Sequence, residues 1–445
     1  MNRLAEMREL LENASFGFSL RTRNIFYLLM AVGGLVFLAN LFLGDPQVAW
    51  QSLLINVVFF AGIAQATLMF SVISTVTDAF WVRPIKRVAE VISTFGLLSM
   101  GLFIFLFLGG KYLFQWYNHD LVIHAKEGWL NYNFFIIRQL VGLAVLAVLS
   151  LLYLRNSIRP DFSVAKKLGI SFSGTLYKRC IKDHKDHELE AEKSYHSNKQ
   201  LAPWLGFVFG GVASLVAFDW MMSIDQEWFS TMFGVQYVVS SLIGGGSVLI
   251  IVSGFMRGNE KIAHYQTKYR HHDITKLTFA FVLLWTYMIF SQVLVIWYAD
   301  IPEETPYMIL RMKSEEWGWM FFVIFIVVFV IPFFGLMSRT ACRSILFSRI
   351  MAIDLLIGLW LEKYFIIVPS MQENALDAQL AKGSSLGAHI TDGSISIPGF
   401  MVMPFLANIM VGLGILGMFL LWVNYFAKKV PMMPIGDNRL VKQDH

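Results

Sequence analysis

Four carboxylates in this chain stand where their surroundings make an acid expensive. Glu90 lies near the start of one apolar run and Asp219 near the end of another. Asp354 and Glu362 share a third, with Lys363 beside Glu362. A charged Asp, Lys or Arg at the middle of a membrane helix costs about 2.5–3.5 kcal/mol on an insertion scale. Such a group persists only if it faces protein, pairs, or lines water. A desolvated carboxyl group reached by water can take up and release protons near neutral pH, which is the chemistry these four residue types offer.

Depth separates them. At 1.5 Å per residue, Asp219 sits about 5 Å, roughly one turn, below one surface. Arg138 enters another run from the same side at a similar depth, so an ion pair between them is geometrically allowed. Asp354 lies about 8 Å inside the opposite face, with Glu362 about 12 Å further along the same helix. Their eight-residue step turns them about 80° apart, so both are expected to border one interior cavity. Lys363 is expected to point elsewhere and snorkel towards the interface. Together Glu90, Asp219, Asp354 and Glu362 sample both halves of a bilayer, as two proton half-paths would require. Gln65, Gln236, Ser240, Ser241, Thr286, Tyr287, Ser291, Gln292 and Asn408 also fall inside apolar runs, where they serve as proton relays or as glue between helices.

The elements that must position these residues are apolar helices. Hydrophobic residues make up 56% of the 445 positions and charged residues 15%, against roughly 45–50% and 25% in soluble domains. That excess needs lipid as part of the solvent. Runs near the required length occur at about 25–43, 53–75, 88–108, 134–154, 202–222, 233–255, 277–297, 317–337, 349–369 and 399–426, giving ten expected spans. Segments on the side of the two termini carry 29 Lys and Arg, and loops on the other side carry 5. The positive-inside rule therefore puts both termini in the cytoplasm. This arrangement divides the chain into a cytoplasmic amphipathic segment (1–24), helices 1–4 (25–154), a cytoplasmic loop (155–201), helices 5–10 (202–426) and a cytoplasmic tail (427–445). The first apolar run is long enough to span and is not expected to be a cleaved signal. The basic residues are spread over loops on one side, which does not suit nucleic acid.

Absences narrow the chemistry further. All ten histidines fall outside the expected spans, so no intramembrane haem-ligating pair is expected. Cys180 and Cys342 fall in loops and form no CxxC. His184 and His187, spaced i, i+3, lack further ligands for a metal. "GGGS" at Gly244–Ser247 has no following GK[ST]. Those glycines and the GxxxG at Gly206–Gly210 are expected to mark close helix packing. The chain is thus expected to bind no redox cofactor or metal of its own. Pro332 and Pro404 interrupt two spans without forming a symmetric pair, and no internal repeat supports the alternative of a proton-coupled secondary transporter. A third reading is a structural scaffold with every carboxylate salt-bridged.

Two stretches carry a specific likeness: "FDWMMSIDQEWFSTMFGVQY" at Phe218–Tyr237 and "SQVLVIWYADIPEETPYMILR" at Ser291–Arg311. With the ten spans, they make the chain resemble the F subunit of bacterial alternative complex III, the quinol:electron-acceptor oxidoreductase, within the wider NrfD/PsrC-like family of integral membrane proteins. The resemblance covers essentially the whole chain. It implies an all-α fold of two four-helix bundles with flanking helices, in a bacterial inner membrane. It implies a multi-subunit respiratory complex with cytochrome c and iron–sulfur partners, which carry haem c and iron–sulfur clusters, beside a homologous NrfD-like subunit. A quinone is implied too. If this chain holds it, the outer-leaflet residues Arg138, Asp219, Tyr298 and Asp300 offer the donor and base that quinol oxidation needs. Glu90 and Asp354 rest on their position alone. The loop 298–316 has a net charge of −3, and Pro302 and Pro306 stiffen it, which suits docking of a partner.

Overall fold

The computed structural model describes residues 8, 17–117, 122–170, 172, 177, 187–258, 260–302, 304–381 and 401–437. The expected amphipathic segment (1–24) lies outside the described residues apart from Arg8 and residues 17–24, the last of which already belong to the first helix, and Cys180, His184 and the end of the tail also lie outside them. All regular structure among the described residues is helical.

The helices used below are α1 (Leu20–Leu43), α2 (Pro46–Val76), α3 (Arg83–Ser93), α4 (Phe95–Leu106), α5 (Tyr132–Lys167), α6 (His187–Trp220), α7 (Thr231–Met256), α8 (Lys268–Ala299), α9 (Thr305–Met312), α10 (Gly318–Phe325), α11 (Ile331–Leu336), α12 (Ile345–Ala381) and α13 (Val402–Ala427). Among the described residues nine helical segments are long and apolar enough to cross a membrane. Helix α12 is as long as any of them, but Asp354, Glu362 and Lys363 reduce its apolarity.

Helix α2 forms the axis of the molecule. It is buried on nearly all sides and packs against α1, α3, α6, α7, α12 and α13. Asp45 caps its start by accepting from the Gln47 amide, and Pro46 occupies a first-turn position where no N–H is needed. Helices α5 and α6 pair on one flank, α7, α8 and α12 on another, and α1 lies along α13. Helix α5 runs to Lys167, well beyond the expected span end at 154, and α6 begins at His187. Much of the expected cytoplasmic loop is therefore helical extension. Pro332 follows a π-helical turn at Ile326–Val330, which accommodates its missing N–H. Pro404 does not break a span, because it stands in the first turn of α13.

Glycine spacing was a poor guide to close packing at one place and a good one at another. A Cβ at Gly210 would meet nothing within 4 Å, and at Gly206 only Val72 at 4.0 Å, so this GxxxG does not bring two backbones together. At Gly245 a Cβ would stand 2.9 Å from the Thr67 nitrogen and 3.0 Å from the Ala66 carbonyl carbon, both in the α2 backbone. Helices α2 and α7 therefore touch backbone to backbone through Gly245. We predict that Gly245→Ala destabilises the protein by about 1–3 kcal/mol through overpacking, while Gly210→Ala is neutral within about 0.5 kcal/mol. Thermal unfolding of both variants in detergent checks this contrast.

Candidate functional site

The structure gives the four expected carboxylates four separate surroundings. Asp219 is fully buried near the end of α6 and is saturated with donors. Arg138 on α5 grips it side-on, with Nε 2.7 Å from Oδ2 and Nη2 2.6 Å from Oδ1. Trp129 Nε1 donates to Oδ1 at 3.1 Å and Gln139 Nε2 to Oδ2 at 2.5 Å. The Trp129 ring also lies 4.1 Å beneath the guanidinium. The expected pair exists, and no lone pair of Asp219 is left to receive a proton from water without breaking it.

Tyr298 and Asp300 do not join this pair. Both are exposed at the end of α8, where Asp300 adopts a left-handed conformation with φ 48°. Arg138 and Asp219 thus form a buried pair, while Tyr298 and Asp300 stand exposed with no hydrogen bond to it.

Glu90 lies on α3 at the opposite, Lys/Arg-rich side. It accepts from Arg87, from Ser157 Oγ at 2.7 Å and from Ser71 Oγ at 3.1 Å. Arg87 also donates to Asp161 at 2.5 Å and so holds α3 to α5. Above this triad opens a polar vestibule of about 490 Å³, lined by Lys86, Ser157, Asp161, Tyr195 and Asp437 among others. Glu90 itself does not line it.

Asp354 and Glu362 do not border one cavity. Asp354 is half-buried, and its Oδ2 is buried with no hydrogen-bond partner. Glu362 lines an inner cavity that Asp354 does not reach. Lys363 does not snorkel. It is 3% exposed, and its Nζ donates to Glu362 Oε2 at 2.7 Å and to Ser240 Oγ at 2.8 Å. In hydrocarbon, curling back onto a carboxylate offsets a cost that reaching for the interface would otherwise have to relieve.

Glu362 sits in a network that reaches three helices. Trp285 Nε1 on α8 and Gln236 Nε2 on α7 donate to Oε1 at 2.9 and 3.0 Å. Gln292 Nε2 donates to Gln236 Oε1 at 2.7 Å, and Ser230 Oγ donates to Gln292 Oε1 at 3.3 Å. This string leads from Ser230, a partly exposed residue just before α7, to the buried acid. Beside it is a cavity of about 70 Å³ between α7, α8, α9, α10 and α12. That is room for a few waters, each needing about 10–15 Å³, and is less than the roughly 150 Å³ of a cavity that accepts benzene. Its lining is mostly apolar, with Glu362, Gln236, Gln292 and Arg311 among the polar groups that a water there could meet.

Sequence reasoning missed the roof of this cavity. The acidic loop 298–316 is not all surface, because it contains α9 and sends two side chains inward. Tyr307 stacks on Trp228 with ring centres 3.7 Å apart and planes 5° from parallel. The Arg311 guanidinium lies 3.5 Å over the other face of Tyr307 and donates to Ser370 Oγ and the Ile366 carbonyl. Burial pushes the Tyr307 phenol up to about 12, so it remains neutral across the physiological range. The only signal for this arrangement was Tyr307 and Arg311 spaced i, i+4 in a stretch treated as a turn.

The histidines also need a correction. Helix α8 begins at Lys268, nine residues before the expected span, so His271 and His272 lie in its first turns. His271 is fully buried between Ser253 Oγ (2.9 Å) and Ser348 Oγ (2.7 Å). Cys342 is not in an open loop either. It lies in the short helix Arg339–Arg343, buried, with its thiol donating to the Leu336 carbonyl at 3.0 Å, and burial pushes that thiol's pKa up.

No protein-family model and no curated protein matches this chain.

The Arg138–Asp219 geometry makes a direct prediction. Asp219→Asn leaves a buried guanidinium without its counter-charge and should destabilise the protein by about 3–5 kcal/mol, whereas the double variant Arg138→Met, Asp219→Leu should recover much of that loss. Thermal unfolding of the single and double variants measures both. A near-neutral single variant would mean that the pair is hydrated rather than buried.

Proposed function

We propose that this chain is the cofactor-free integral membrane subunit of a respiratory quinol:electron-acceptor oxidoreductase of the alternative complex III type, and that Glu362 and Lys363 handle a proton within it. In this reading α12 is a tenth span, the helices form two four-helix bundles with α1 and α13 flanking them, and both termini face the cytoplasm of a bacterial cell. Partner subunits carry the haem c and iron–sulfur clusters, with a homologous NrfD-like subunit alongside.

The observation that carries the proton role is the Glu362–Lys363 pair at a cavity with room for water. Three of the expected acids are engaged, but their engagements differ in kind. Arg138–Asp219 and Arg87–Asp161 connect different helices, so opening them loosens the packing, and Arg87–Glu90, although within one helix, shares its guanidinium with Asp161. Glu362 and Lys363 are neighbours on one helix, so their contact can open without any helix moving. Gln236, Trp285 and Ser240 then supply alternative partners for the separated groups.

Separating an ion pair in a low dielectric penalises each charge. A proton moving to Glu362 or leaving Lys363 relieves that penalty. Opening the pair is thereby coupled to proton exchange with the adjacent waters. Ser230, Gln292 and Gln236 mark the side from which water reaches the acid. The amides orient water and do not themselves carry protons. On the opposite side, the vestibule over Lys86 and Asp161 brings water close to Glu90, and between the two regions α2 carries Ile63, Ala64 and Ala66 together with the buried polar Gln65 and Thr67.

The test uses the assembled complex in vesicles. Glu362→Gln should lower quinol-driven proton movement by at least about tenfold, the scale on which positioned acid–base groups act, while electron transfer without a membrane potential continues. Lys363→Met should act in the same direction. Unchanged proton movement in both variants would sink the proton role. Purification of the chain without any haem or iron–sulfur partner would remove the complex.

A further inference from the structure

Two arginines at the Lys/Arg-rich end of the molecule meet no counter-charge among the described residues. Arg257 caps the end of α7, and Arg349 lies in the second turn of α12. Among the described residues neither meets a carboxylate. Arg257 is partly exposed, yet its Nε and Nη1 are buried with no acceptor. The negative end of the α7 dipole offsets part of that cost but satisfies neither donor. Burial accordingly pulls the Arg257 guanidinium below its ordinary proton affinity.

The two arginines converge on one place. Both lie within electrostatic reach of His271, whose imidazole bridges Ser253 on α7 to Ser348 in the first turn of α12. Gly254 permits the approach, because a Cβ there would stand 2.5 Å from Arg349 Cδ and 3.0 Å from Ile345 Cγ2. Arg257 is three residues further on, on the same side of α7. The start of a 37-residue helix, with its unpaired backbone N–H groups, thus sits beside two unpaired guanidiniums. Two acids nearby in the sequence whose side chains are described are engaged or turned away. Asp273 pairs with His272. Asp354 is five residues beyond Arg349, about 140° around α12, and makes no ion pair with it.

The surface next to this cluster is apolar. Leu346, Ile350, Ile353 and Ile357 are each at least half exposed, and they follow one another at steps of four, three and four residues. That spacing draws a stripe up α12, away from the arginines and into the depth of the bilayer. Exposed Phe255 lies beneath Arg349, with the guanidinium 4.1 Å over its ring. A cationic cluster at the foot of an apolar stripe matches a headgroup joined to acyl chains, and a free anion would use only half of it.

We propose that Arg257, Arg349 and the first turn of α12 bind the phosphate of an acidic phospholipid, whose acyl chains lie along Leu346–Ile357. Arg pairs with phosphate through two parallel N–H donors, and Arg257 and Arg349 each bring such a guanidinium to this place. Basic clusters between helices on the cytoplasmic side are suited to anionic headgroups. Two guanidiniums disfavour the cation of a zwitterionic headgroup, so phosphatidylglycerol fits the cluster and phosphatidylcholine does not.

The experiment is native mass spectrometry of the full chain released from mixed phosphatidylglycerol–phosphatidylcholine nanodiscs, with and without inorganic phosphate. The wild type should retain phosphatidylglycerol in preference to phosphatidylcholine, and phosphate should not displace it. The Arg257→Gln, Arg349→Gln double variant should lose about thirtyfold in that preference, at about tenfold or less per arginine. Lys166→Gln, an exposed lysine elsewhere on the same side, should leave it intact. Thermal unfolding in pure phosphatidylcholine should be alike for wild type and double variant, which separates lost binding from lost folding. A double variant that folds and retains the preference overturns the proposal. So does an equal loss in Lys166→Gln, and so does displacement by phosphate, which would indicate binding of a free anion only.

Discussion

A charge held away from water must find its counter-charge in the protein, and here that constraint organises the helices. Arg138 clamps Asp219 and joins α5 to α6. Arg87 bridges Glu90 and Asp161 and joins α3 to α5. Breaking either contact leaves an uncompensated ion, which costs more than the pair contributes when whole. These contacts therefore act as clasps that fix the register of helices whose apolar faces specify it poorly. Glu362 and Lys363 satisfy the same constraint differently. Their pairing links no two helices, and only their secondary partners reach across to α7 and α8. Such a pair can open without separating helices, and this one borders a cavity.

The outline of this arrangement was legible in the sequence because its signals are local. Long apolar runs mark helices. Acids within such runs are conspicuous, so Glu90, Asp219, Asp354 and Glu362 were all visible. The Arg138–Asp219 pair followed from equal depth on the same side.

What stayed hidden depends on contacts between distant segments. Helix α5 continues to Lys167 because a helix does not stop where hydropathy does. Lys363 turns back onto Glu362 although neighbours on a helix diverge by about 100°, and only the length of the lysine side chain allows it. Tyr307 and Arg311 looked like part of an acidic turn, since nothing local shows that Trp228 waits to stack on them. The glycine motifs show the same limit: Gly206 and Gly210 have the spacing of a packing motif and open space around them, while Gly245 lies on a neighbouring backbone.

The claim that matters most is that Glu362 changes protonation when the proposed complex turns over. Infrared difference spectroscopy of the assembled complex, recorded as quinol is added, reads this directly in the carbonyl stretch of protonated carboxyl groups. The account predicts a carboxyl band that shifts in heavy water and disappears in Glu362→Gln. A band that survives in that variant, or the absence of any carboxyl band during turnover, would contradict it.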